Sequence, residues 1–296
     1  MRRSQIGATA GPSVSAAPAD PAGRAVRLHG RSAVALTLVS AVGVAAFGWP
    51  FIIEPGAGIG HSADAPWLFA LLLPLLLAIV AAEISDGQLD AKAVATLGVL
   101  AAVGTGLRVL GTGAGGVEPV FFLFVLAGRV FGAGFGFVLG QLTLLASALV
   151  TGGVGPWLPF QMLAAGWLGL GAGLLPPVRG RAEIGLLALY GAAAGLVYGL
   201  LINLWFWPFA TYAGSGISFD PGAGIGQNLV RYLAFFAATS LVWDVVRAVL
   251  TAALCTLAGP PVLRALRRAS RRANFRAVPQ FAAAEIHARR VAEPAS

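Results

Sequence analysis

The sequence predicts an all-α integral membrane protein of about eight transmembrane spans with both termini on the cytoplasmic side. Three observations carry that reading. Hydrophobic residues make up 57% of the 296-residue chain and charged residues 11%, with a mean hydropathy of +0.81, so there is too little polar surface to clothe a water-soluble globule. The apolar residues come in continuous, non-alternating runs of about 15–25, the length at which a helix crosses the hydrocarbon core with its own backbone groups paired. Basic residues, finally, sort onto one side of the resulting loops.

Taken in order, residues 1–29 are rich in Ala, Pro, Ser and Arg. They are too long and irregular for a signal peptide and read as a disordered cytoplasmic tail. Two apolar runs follow, 32–53 and 67–82, within a segment 30–89. Further runs lie at 92–110, 161–176, 184–207 and 228–258. The stretch 118–150 would form one helix of about 50 Å, too long for a simple crossing. Gly132, Gly134 and Gly136 beside Arg129 predict a tight turn there and two short helices, 118–131 and 134–150. Residues 90–272 thus form a six-helix unit, and 273–296 a basic cytoplasmic tail.

Charge fixes the parity. With the turn included, Arg2, Arg3, Arg24, Arg27, Arg31, Lys92, Arg129, Arg179, Arg181 and the arginines from Arg264 to Arg290 share one side, the cytoplasm by the positive-inside rule. The opposite loops, 54–66, 111–117, 151–160 and 208–227, contain no Lys or Arg. The net charge of +8 then follows from topology, and no nucleic-acid partner is needed. The run RALRRASRRANFR reads as an anchor at anionic membrane lipid.

Three arginines stand apart. Arg108 ends the third helix on the outer side, Arg231 opens the last helix at the same level, and Arg247 lies deeper, three residues after Asp244. Asp244 and Arg247 read as a local pair in the inner half of that helix. Arg108 and Arg231, with Glu118 nearby, read as a polar mouth. The loop GGVGPWLPFQML brings Trp157 and Gln161 to the same outer level, as the seventh and eighth helices bring Asn203, Trp205, Trp207, Tyr212 and Tyr232. Aromatic walls with a few placed amides and arginines are the usual composition of a small-molecule site, here open to the outside.

Enzyme classes fit poorly. His29, His61 and His287 are scattered over loop and tails, and the single Cys255 sits inside an apolar run, which excludes a cysteine metal cluster and a disulfide framework. No phosphate-binding GxxxxGK[ST] loop occurs. An ion-coupled secondary transporter of a small organic solute would show ionisable residues at the midplane of repeated halves. No internal repeat is visible. A non-enzymatic structural membrane protein is the other alternative, although it would not need polar groups converging at one face.

The run FFLFVLAGRVFGAGFGFVLGQLTLLASALVTGGVGPWLPFQMLAAGWLGLGAGLLP, followed by two helices and a basic C-terminus, resembles the substrate-binding membrane subunits, or S components, of energy-coupling factor (ECF) transporters. The resemblance spans roughly 90–270, with the first two helices outside it. It implies a six-helix S-component-like bundle preceded by two extra transmembrane helices. It also implies capture of a vitamin or related micronutrient from outside, for import driven by an ECF transmembrane coupling subunit and two ABC-type ATPases. ATP is then used by those partners, and this chain carries no cofactor. Trp157 becomes part of a ligand cap, with Arg108, Glu118, Gln161, Asn203, Trp207, Tyr212, Arg231 and Tyr232 around the ligand. Ala91 and Ala95, four apart at the cytoplasmic end of the six-helix unit, match the family's small-residue contact with the coupling subunit; Ala41 and Ala45 repeat that spacing in the first helix. The PW-x-P-x-QM loop and the chain's size are most similar to cobalamin-type subunits, with thiamine precursors, other vitamins and isoprenoid-like compounds as alternatives.

Overall fold

The computed structural model describes residues 30–52, 91–111, 115–210 and 216–273, and all regular structure among them is helical. The helices are α1 (Gly30–Ile52), α2 (Ala91–Gly111), α3 (Val120–Phe131), α4 (Ala133–Thr151), α5 (Leu158–Leu174), α6 (Arg181–Phe206) with a 3-10 turn (Trp207–Phe209) at its end, α7 (Ile225–Thr239), α8 (Leu241–Leu257) and α9 (Gly259–Ala273). The predicted tail over 1–29, all but the first residue of the tail predicted over 273–296, the predicted span over 67–82 and Tyr212 lie outside the described residues.

Among the described residues, α2, α4 and α6 with its 3-10 extension are each long and apolar enough to cross a membrane, and α7 with α8 makes a fourth if the bent pair is one span. Most of α2 and α6 is left uncovered by the other described residues. Val99, Val103 and Leu110 on α2, and Leu189 and Val197 on α6, are exposed among the described residues, apolar surface suited to lipid rather than to water.

The bundle is organised around α3. All twelve of its residues are buried, and it touches α2, α4, α5, α6, α8 and α9. A helix apolar on every face has no solvent side to offer, so it belongs in the middle. The predicted turn is present. Gly132 sits at φ 106°, a conformation that L side chains avoid, between the two helices. Its amide donates to the Gly128 carbonyl at 2.9 Å, and its own carbonyl accepts from the Gly136 amide at 3.0 Å. The chain reverses so sharply that a side chain on Gly136 would meet the Cα of Gly128, whereas a straight helix separates such residues by about 12 Å.

Only Gly132 of the three predicted turn glycines makes the turn. Gly136 serves packing instead: a Cβ there would collide with the Gly169 carbonyl of α5, and one on Gly169 with the Gly136 carbonyl. Two backbones in van der Waals contact explain why α4 and α5 form the most extensive helix pair of the fold. α1 docks on α5 and α6. Trp167 Nε1 donates to Ser40 Oγ at 2.8 Å, and the Phe47 ring meets that of Phe160 at 5.0 Å.

Two expectations need correction. The run 228–258 is not one helix: α7 and α8 meet at Ser240 with a 67° bend. Ser240 leaves helical geometry at φ −129°, ψ −24°, and its hydroxyl donates to Asn203 Oδ1 on α6 at 2.7 Å. Because of that break, Asp244 and Arg247 occupy the first two turns of α8 and not the inner half of a long helix. Arg129, read above as a cytoplasmic-side charge beside the turn, is buried at 7% exposure. Its Nε donates to Glu183 Oε1 at 2.8 Å, and its Nη atoms donate to the carbonyls of Leu175, Pro176 and Val178 at 3.0–3.1 Å. The guanidinium thereby fixes the α5–α6 connection to the end of α3. α9 closes the same end, with Leu263 and Leu266 buried and Arg264 and Arg268 exposed.

Candidate functional site at the Arg108 end

The opposite end of the bundle gathers most of the predicted residues. Arg108 lies in the last turn of α2, where its charge suits the helix dipole, and its Nη2 donates to Gln161 Oε1 in the first turn of α5 at 3.1 Å. Glu118, just before α3, accepts from Arg247 Nε. The same guanidinium donates from Nη1 to Asp244. It also lies 5.2 Å from both the Phe121 and the Tyr198 ring centroids, so cation–π contact adds to ion pairing. Two arginines and two carboxylates, net neutral, therefore gather around Tyr198 at this end, Asp244 and Arg247 buried and Arg108 and Glu118 half-buried. A Cβ on Gly199 would collide with the Asp244 carboxylate, so α6 is cut away where that carboxylate packs. Asp244 Oδ2 has no partner among the described residues.

Next to this set runs a layer of aromatic rings. Its centroid spacings are Trp157–Trp205 6.5 Å, Trp205–Phe209 5.9 Å, Phe209–Trp49 5.9 Å, Trp49–Phe219 6.2 Å, Phe219–Trp207 5.3 Å and Trp207–Tyr232 5.3 Å. Phe160, adjacent to Gln161, joins the layer at Trp205, 5.6 Å away. The rings come from the ends of α1 and α6, the start of α5, the segment before α7 and α7 itself. Trp157, at 40% exposure, is the open edge, and its Nε1 donates to Gly153 of its own loop at 3.1 Å. The indole N–H groups of Trp49 and Trp205 are buried and without an acceptor among the described residues. Such donors normally find a partner, and leaving one unmet costs about 1–3 kcal/mol.

Other predicted residues are committed to the fold. Asn203 Nδ2 donates to the Gly199 carbonyl at 2.8 Å while its Oδ1 accepts from Ser240, so it fastens the α7–α8 joint to α6. Trp207 is fully buried and donates to the Ile217 carbonyl at 2.7 Å. The Tyr232 hydroxyl donates to the Leu200 carbonyl. Arg231 pairs with Asp220 at 3.3 Å and donates to the Ser218 carbonyl at 3.3 Å, which ties it to the loop before α7. Ala91 and Ala95 lie at the other end of α2, both exposed, as Ala41 and Ala45 are on α1.

Sequence reasoning missed Trp49, Phe209, Phe219, Tyr198 and the part played by Arg247. Arg247 carried a usable signal, an arginine within an apolar run, but its partner Glu118 lies 129 residues away. No protein-family model, no curated protein and no solved structure matches the chain.

Proposed function

We propose that this chain is the substrate-specific membrane subunit of an ECF transporter, capturing a vitamin-like micronutrient at its Arg108 end for import driven by a coupling subunit and two ATPases. The observation that carries the reading is the aromatic layer with two buried indole donors, Trp49 and Trp205, that lack acceptors among the described residues. It lies beside the Arg108–Gln161 pair. Flat rings and unfilled donors suit a ligand with a conjugated or ring system and acceptor oxygens or nitrogens. The S-component resemblance, the packed α3–α4 hairpin, and exposed Ala91 and Ala95 at the far end of α2 support the same reading. In this account the Arg108 end faces outward, the Arg129 end is cytoplasmic, and the chain makes eight spans of the cell membrane with both termini in the cytoplasm. A cobalamin-type compound is the first ligand to test.

The experiment is to purify the full chain in mild detergent, extract it and identify small molecules by mass spectrometry, alongside Trp157→Ala and Arg108→Ala. A compound retained by the wild type and lost from both variants is the expected result. A wild-type protein that carries nothing, or a compound equally retained by both variants, would remove the pocket from this end.

A second reading draws on a specific observation. Glu118, Asp244 and Arg247 form an ionisable cluster within the bundle, and Asp244 Oδ2 lacks a partner among the described residues, the sort of site at which ion-coupled transporters exchange protons. Uptake into sealed vesicles driven by a proton gradient, without any ATPase, would favour it.

A further inference from the structure

We infer that the Arg129 end of the bundle holds a site for the phosphate group of an anionic ligand. A cavity of about 390 Å3 opens there, between the end of α3, the α5–α6 connection, the start of α6 and one face of α9. Its size suits a small-molecule site, and its walls are polar. Arg129, Arg179, Arg267 and Arg271 face a single carboxylate, Glu183, with Ser270 beside them. Four positive charges against one negative leave a net +3.

The charges are not equivalent. Glu183 Oε1 accepts from both Arg129, at 2.8 Å, and Arg267, at 2.6 Å, so one carboxylate is shared by two guanidiniums. Arg129 also spends its Nη donors on three carbonyls of the α5–α6 connection and is a positioning residue that shapes the wall. Among the described residues no carboxylate pairs with Arg179 or Arg271. Both are exposed and border the cavity from different elements, one on the α5–α6 connection and one on α9. The 26-residue α6 begins beside them at Gly180 with no side chain capping its first amides. Uncapped amides at a helix start and planar guanidiniums are the donors that a tetrahedral phosphate engages. An acidic lipid headgroup and a soluble phosphate present the same group; a basic pocket between helices on the cytoplasmic side suits the former. This site differs from diffuse attraction of the basic α9 to a membrane, because it depends on Arg179 and Arg271 and not on the outward-facing Arg264 and Arg268 of the same helix.

That difference is the test. The full chain in detergent is mixed with phosphatidylglycerol or phosphatidylcholine and examined by native mass spectrometry, and is titrated with inorganic phosphate by calorimetry. The variants are Arg179→Glu with Arg271→Glu and, as an equal change of charge, Arg264→Glu with Arg268→Glu. Arg179→Gln with Arg271→Gln serves as the gentler pair if the first is not monodisperse. The wild type is expected to retain one phosphatidylglycerol in preference to phosphatidylcholine. Retention should fall about tenfold or more in the cavity pair and about twofold or less in the control pair. Phosphate binding with the same variant dependence, without lipid retention, would assign the site to a soluble phosphate compound. Equal losses in both pairs, or no binding of either probe, would overturn the inference.

Discussion

Arg247 is engaged on every side: two carboxylates, the Gly195 carbonyl and two aromatic faces surround its guanidinium. Such a cluster is costly to break and less costly to replace, because removing one partner strands a charge whereas removing all of them strands none. Glu118→Gln is therefore expected to destabilise the protein by about 1–3 kcal/mol, below the range for a fully buried pair because Glu118 is only half-buried and Arg247 keeps Asp244. The combined Arg108→Met, Glu118→Gln, Asp244→Asn, Arg247→Met variant, which removes all four charges, should melt above that single variant in detergent thermal denaturation. A fourfold variant less stable than Glu118→Gln would mean that the charges contribute stability beyond their mutual compensation. Arg108 and Gln161 were legible in the sequence as outer-level polar groups, and they do meet. Asn203 was legible as unusual in an apolar helix, yet its partner is Ser240. Sequence marks a polar residue that needs a partner; which partner it finds depends on long-range packing that periodicity does not encode.

At the level of helices, the α3–α4 reversal was legible because three glycines and an arginine interrupted an apolar run too long for one crossing. The function of those glycines was only partly legible, since a glycine that turns the chain and one that admits another backbone look alike in sequence. The break at Ser240 gave no such signal. Neither Pro nor Gly lies within 228–258, and the bend depends on a hydroxyl reaching Asn203 on another helix. The glycine contacts make a direct prediction. Gly169→Ala forces a methyl into the Gly136 carbonyl and should cost about 1–3 kcal/mol by overpacking. Gly185→Ala, where a Cβ meets nothing, should be neutral or slightly stabilising in the same melting assay, since alanine favours the helix. Equal losses in the two variants would show that the α4–α5 contact is looser than described.

Across the whole molecule, the two ends differ in chemistry. One end joins aromatic rings to a compensated ion cluster, and the other surrounds a single carboxylate with arginines. Hydropathy made the helical character and the presence of helices long and apolar enough to cross a membrane legible, and the loop charges supplied the orientation that the proposed function adopts. Neither could reveal that the aromatic residues form one layer, because its rings come from α1, α5, α6, α7 and the segment before α7, far apart in the chain. The cargo of the proposed function is equally beyond reach of composition, since several flat, acceptor-bearing vitamins would suit the same rings. The most direct measurement is isothermal titration of the purified full chain with cobalamin, thiamine and its precursors, and other vitamins. The account predicts that one compound binds in 1:1 ratio, that Arg108→Ala weakens it about tenfold or more, and that Arg179→Glu with Arg271→Glu leaves it unchanged. Absence of binding across the panel, or binding insensitive to Arg108→Ala, would contradict capture at this end of the bundle.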